Sequence, residues 1–209
     1  MQEGMTKGGS VTGDQIQIPN GNGGYDIYFL SDGNFKAKGK STYDETRDGK
    51  WCNNDNSLST VKIKSGTALW YGAKCYEKPF AISIAGAVAQ DATKTFTVNL
   101  AWTLIANPYP TALALNGGIP FCEGMVKGGS VSGDQIQIPD GKGGYVIYFL
   151  SDGNFKSKGK STYDETRDGK WCNSDNSLSS DSIPAGIGAW YGRKGEADFK
   201  ITVASPIAK

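Results

Sequence analysis

The chain has 209 residues, room for one large domain or two small ones with a real core. With 29 Gly, 8 Pro, ten Tyr, eight Phe, five Trp and a mean hydropathy of −0.41, it is turn-rich and aromatic-rich, which favours short strands over long helices. A net charge of +1 gives no counterion-release drive toward nucleic acid, and no stretch approaches the roughly eighteen apolar residues of a membrane span.

In chain order, alternation predicts a strand over residues 15–18, ended by Pro19 and a Gly/Asn-rich turn at 20–24. A strand over 25–31 closes at Asp32-Gly33-Asn34, and residues 35–40 return from it as a hairpin. A polar segment, 41–51, contains an Asp48-Gly49 turn and ends at Trp51; a polar loop, 53–59, leads to strands at 61–63 and 68–71 with Gly66 between them. Residues 80–85 alternate as a half-buried strand does. Strands over 95–100 and 102–106 complete the set, Pro108-Tyr109-Pro110 stops it, and only residues 111–116 have helical character, for about one turn.

The sequence then repeats itself. EGMTKGGSVTGDQIQIP at residue 3 returns as EGMVKGGSVSGDQIQIP at residue 123, an offset of 120, with seven mismatches between residues 3–59 and 123–179. Further on the copies keep Trp70-Tyr71-Gly72 and Trp190-Tyr191-Gly192, and residues 80–85 answer 199–204. The fold expected is all-β: two tandem duplicated antiparallel β-sandwich-like domains, residues 1–98 and 99–209, joined near 98–106. Of the mismatches, Asp26 against Val146 is among the least conservative, so Asp26 is expected on an exposed strand face.

The order of motifs is a strand running into Asn107-Pro108-Tyr109-Pro110, then Gly133-Asp134-Gln135-Ile136, a Gly-Gly-Tyr hairpin, a Trp in a polar loop, and Ala189-Trp190-Tyr191. It resembles a β-rich repeat of bacterial secreted and cell-surface proteins, in which an NPYP strand precedes a GDxI strand and a strand ending in aromatics. The resemblance covers about residues 100–205 and all but the opening strand of the first copy. It implies export and a surface role, and transfers no catalytic residue.

Candidate chemistry is sparse. Without histidine, the Ser-His-Asp and Cys-His nucleophile systems and imidazole-ligated zinc are excluded. Cys52, Cys75, Cys122 and Cys172 lack CxxC spacing; an even count in a loop-rich chain points to two disulfides, Cys52 to Cys75 and Cys122 to Cys172, and to an oxidising compartment. The N-terminal residues carry no signal-peptide h-region, so an extracellular or cell-surface location implies a leader outside this sequence. Tyr43, Asp44 and Trp51, with their repeats Tyr163, Asp164 and Trp171, set carboxylates beside aromatics as sugar-binding faces do, or else form a hairpin whose Trp closes the core. The oxygen-rich stretches 32–34, 44–45 and 53–56 match no calcium-loop spacing and read as Asx turns, so no metal and no cofactor is expected. Glu45 and Asp48 could serve a glycosidase only if they faced each other across a groove.

These readings favour a non-enzymatic extracellular or surface structural protein, with glycan binding as the alternative. Residue 1 matches residue 121, so the first copy has no counterpart of 102–116 in this sequence. An edge left open there would invite strand addition by residues 201–209 or 1–10 of another copy, and head-to-tail association would then grow a filament.

Overall fold

The computed structural model describes residues 4–37, 39–74, 91–157 and 159–206. The expected strand at 80–85 and Cys75 lie outside the described residues. The fold is all-β: among the described residues there are antiparallel sheets and hairpins with one short helical turn. The chain divides into two compact units, Met1–Lys64 with Leu69–Ala87, and Ser65–Ala68 with Val88–Lys209.

In the first unit the strands are β1 (Gln15–Pro19), β2 (Tyr25–Leu30), β3 (Asn34–Ala37), β4 (Lys40–Tyr43), β5 (Trp51–Asn53) and β6 (Trp70–Gly72). Four of them make a sheet in the order β5-β2-β1-β6, and β3 pairs with β4 alone. The hairpin expected between 25–31 and 35–40 is therefore not the one formed. Ser31 leaves β2 to bridge Gly8 in parallel, and Asp32 turns the chain by accepting from the Asn34 N–H (3.0 Å). The returning edge of β2 then pairs with β5, with Phe29 opposite Cys52. Residues 61–63 form no strand, and Val61 is 49% exposed.

The second unit contains β7 (Thr93–Val98), β8 (Trp102–Ala106), β9 (Leu113–Ala114), the helical turn α1 (Leu115–Gly118), β10 (Gln135–Pro139), β11 (Tyr145–Leu150), β12 (Asn154–Ser157), β13 (Lys160–Tyr163), β14 (Trp171–Asn173), β15 (Ser182–Ile183), β16 (Gly188–Gly192) and β17 (Phe199–Ala204). Its main sheet has five strands, β14-β11-β10-β16-β8. The registers of the repeated strands agree: Gln15 faces Phe29 and Gly72, as Gln135 faces Phe149 and Gly192. The fifth strand, β8, lies along β16 from Gly188 opposite Ala106 to Gly192 opposite Trp102.

The division between the units falls before β7, not at residue 98, because β7 pairs along its full length with β17. Residues 98–106 are thus strand and turn inside the second unit rather than a connection. On β17, Phe199, Ile201 and Val203 are buried while Lys200, Thr202 and Ala204 are exposed, the period of two that a half-covered strand requires. Residues 111–116 give little helix: Leu113 and Ala114 pair with β15, and Asn116 (ψ 121°) and Gly117 (φ 93°) leave helical geometry inside α1. Ile183, on β15, is fully buried. With Ile136, Leu150, Trp171 and Tyr191 it belongs to one core, to which Leu115 and Ile119 are added from α1 and the residue after it. Asp26 and Val146 are both exposed, so the exchange between them costs neither copy a buried charge.

Gly13 and Gly133 explain the Gly-Asp dipeptide before β1 and β10. A Cβ at Gly133 would stand 2.6 Å from the Leu150 carbonyl oxygen, and one at Gly13 would stand 2.5 Å from that of Leu30. Only glycine admits so close a backbone crossing.

Candidate functional site

The crossing delivers a carboxylate into the interior. Asp134 is fully buried; its Oδ2 accepts from the Val126 N–H (3.1 Å) and the Tyr191 hydroxyl (2.7 Å), and its Oδ1 from the Lys194 N–H (2.7 Å). Asp14 repeats this with the Thr6 N–H, the Tyr71 hydroxyl and the Lys74 N–H. Each carboxylate ties the loop before the first sheet strand to the strand that ends in Trp-Tyr-Gly, and its bonds go to structural donors. Asn107, from the Asn-Pro-Tyr-Pro stretch, is used in the same way. Its amide donates to the Thr111 (2.7 Å) and Ile183 (2.9 Å) carbonyls and accepts from the Tyr109 N–H (3.0 Å).

Burial, followed by the bond to Asp134, drives the Tyr191 phenol far above its ordinary value; Tyr71 on Asp14 and Tyr148 on Asp181 (2.7 Å) shift in the same direction. The fold therefore favours the neutral phenols. That stabilisation is complete below the ordinary phenol pKa of about 10 and is lost as the pH rises toward the folded-state value. In an ultraviolet phenolate titration these three tyrosines are expected to ionise last, together with alkaline unfolding. Ionisation of all ten tyrosines in one step near the ordinary value, with the fold intact, would contradict these buried bonds.

The loops singled out as sugar faces have the same construction in both copies. Tyr43 and Tyr163 are each 58% exposed, and their hydroxyls donate to Asp48 (3.3 Å) and Asp168 (3.4 Å). Those carboxylates also accept from Lys7 (2.6 Å) and Lys127 (2.7 Å), and the lysine bond holds both below the ordinary carboxylate value. Asp44 and Asp164 are taken up by Thr46 and Thr166 and by ion pairs with Arg47 and Arg167, whose guanidinium groups lie over Phe35 and Phe155.

The tryptophans do not complete these faces. Trp171 is 1% exposed and packs edge-on to Tyr191, and its indole N–H donates to the Ile119 carbonyl (3.0 Å), so it offers no ring for stacking on a sugar. Trp51 is half-buried in the equivalent contact with Tyr71. Asp48 is drawn into the bond with Lys7, and Glu45 contributes its carbonyl to the turn that ends at Asp48. The oxygen-rich stretches are Asx turns: Asp55 accepts from the Ser57 N–H and hydroxyl. No group of three or more potential metal-ligating side chains occurs among the described residues.

The expected Cys122–Cys172 bridge is not formed. Both residues are free thiols: Cys172 is buried within β14 and bonded to Ser151, whereas the Cys122 thiol points to the Lys200 carbonyl on β17 (3.5 Å). The two sulfurs serve different strands. Cys52 is likewise a buried free thiol, and burial pushes all three thiols up, away from the reactive thiolate.

Sequence reasoning passed over the segment that covers β14. Asn116 brackets Trp171, accepting from its N–H (2.9 Å) while donating to its carbonyl (2.9 Å) and to that of Ser179 (2.8 Å). A cavity of about 350 Å³ opens beside this bracket, lined by Asn116, Ile119, Phe121, Lys127, Asp168 and Lys170 among others. The signal available was Pro120-Phe121, an aromatic in a stretch with no repeat counterpart of its own kind. No family model matches the chain, and neither curated proteins nor solved structures give a significant match.

Proposed function

We propose that the chain is a non-enzymatic structural protein of the cell exterior or cell surface, built to associate with copies of itself or with a surrounding matrix. The observation that carries this reading is the use made of its buried polar groups. Asp14, Asp134 and Asn107, which elsewhere would be candidates for chemistry, spend their bonds on tying strands and loops together. The resemblance to bacterial surface repeats points the same way.

Head-to-tail growth into filaments is the finer form of the reading. It is supported by strand number: the second unit takes Trp102–Ala106 as a fifth strand, while the first unit's sheet has four strands among the described residues. The tail suggested as the donor is already engaged as far as Ser205, because β17 is paired with β7 and the Ser205 N–H donates to the Ala92 carbonyl. A donated strand would therefore resemble β8 in sequence. Size-exclusion chromatography with light scattering and electron microscopy test the proposal. Concentration-dependent oligomers or filaments are expected, and a monodisperse monomer at high concentration would overturn the assembly reading.

A further inference from the structure

We infer that the cavity beside β14 is a binding site for a carboxylate-bearing sugar, a hexuronate or a chain end carrying one. It is a function additional to assembly. At about 350 Å³ the cavity lies at the small end of ligand sites, suited to one sugar ring with its substituents.

Its walls are held before any ligand arrives. Asn116 is fixed by three hydrogen bonds to β14 and Ser179, and the Ile119 carbonyl is fixed by the Trp171 indole. Such preorganisation lowers the ordering cost of binding. Phe121 is left 46% exposed on this rigid base, an apolar surface of the kind that packs against the C–H face of a pyranose. Lys127 sits over the Phe121 ring at 5.2 Å while its ammonium donates to Asp168.

The charges select the ligand. Lys127 and Asp168 offset each other, and the remaining charged group in the lining is Lys170, which is exposed and enters no ion pair among the described residues. The cavity therefore carries one net positive charge. A compact anion such as phosphate is drawn by Lys170 but repelled by the Asp168 carboxylate. A neutral sugar can donate hydroxyls to Asp168 but leaves Lys170 unused. A uronate answers all three elements at once: carboxylate to Lys170, hydroxyls to Asp168, ring face to Phe121. The first copy repeats the two lysines, the aspartate and the glycine as Lys7, Lys50, Asp48 and Gly49, but has Met1 where the second has Phe121, so the aromatic wall belongs to the second copy and one site is expected there.

The test is a 15N–1H NMR titration of the full chain at low ionic strength with sodium glucuronate, glucose and inorganic phosphate in separate arms. Glucuronate is expected to give saturable shifts centred on residues 117–121, 127 and 168–170, with one molecule bound per chain and affinity about tenfold or more above either control. Lys170→Ala, an exposed change that leaves the fold intact, is expected to weaken glucuronate about tenfold, and Phe121→Leu severalfold, while Lys50→Ala leaves binding unchanged. The proposal is overturned by absence of saturable shifts, by phosphate or glucose binding as well as glucuronate, or by Lys50→Ala matching Lys170→Ala. None of these outcomes depends on whether the chain forms oligomers.

Discussion

Replacing Asp134 by alanine is expected to destabilise the second unit by about 4 kcal/mol, enough to abolish a marginal fold. The change removes three hydrogen bonds and leaves the Val126 and Lys194 N–H groups and the Tyr191 hydroxyl without their partner. A deserted buried donor costs about 1 to 3 kcal/mol, so the loss comes more from the donors than from the carboxylate. Tyr191→Phe removes one of the three and should cost about 1 to 2 kcal/mol. Urea unfolding followed by near-ultraviolet circular dichroism measures both. An Asp134→Ala protein within about 1 kcal/mol of the parent would show that water replaces the carboxylate at no cost, contrary to its full burial.

The second large effect separates two residues that sequence treats as equal. Trp171→Ala is expected to cost about 4 kcal/mol and Trp51→Ala about half of that. Trp171 is buried on all sides, is bonded through its indole to Ile119 and has its main chain bracketed by Asn116. Trp51 keeps the edge-on contact with its tyrosine but is half-buried. The single substitutions, compared by denaturant midpoint in one buffer, decide the matter. Equal losses would mean that the cover over β14 adds nothing to the tryptophan's anchoring.

Much of the strand pattern was legible because it depends on local alternation. Gln-Ile-Gln-Ile at 15–18 and 135–138 and the alternating residues 199–204 each became strands, since a period of two has one half-covered solution. Pairing was less legible. The Asp-Gly-Asn turn after residue 31 reads as a hairpin, but the parallel bridge from Ser31 to Gly8 diverts the chain, and that contact joins residues far apart in sequence. Residues 61–63 and 181–183 show how a partner decides structure: Ile183 is a buried strand residue because β9 lies beside it, and Ile63 is exposed and outside any strand. The candidate site was legible only as two alternatives, a sugar face or a hairpin whose Trp closes the core; Trp171 follows the second, but neither composition nor spacing shows that its ring is covered by a segment some fifty residues upstream.

The bracket on Trp171 also bears on how the protein ages. Asn116 is followed by Gly117, the dipeptide in which the next main-chain nitrogen most readily attacks the side-chain carbonyl carbon, expelling ammonia and closing a succinimide. In the folded chain the amide is held by its two bonds to Trp171 on β14 and its bond to Ser179, so ring closure has to wait for the cover to lift. Once the amide has become a carboxylate, an oxygen replaces the donor that faced the Trp171 and Ser179 carbonyls, and the bracket cannot close again as it was. Loss of the bracket by this route is thereby tied to how often this one segment opens, unlike deamidation at Asn20-Gly21 and Asn22-Gly23, which lie in an exposed turn.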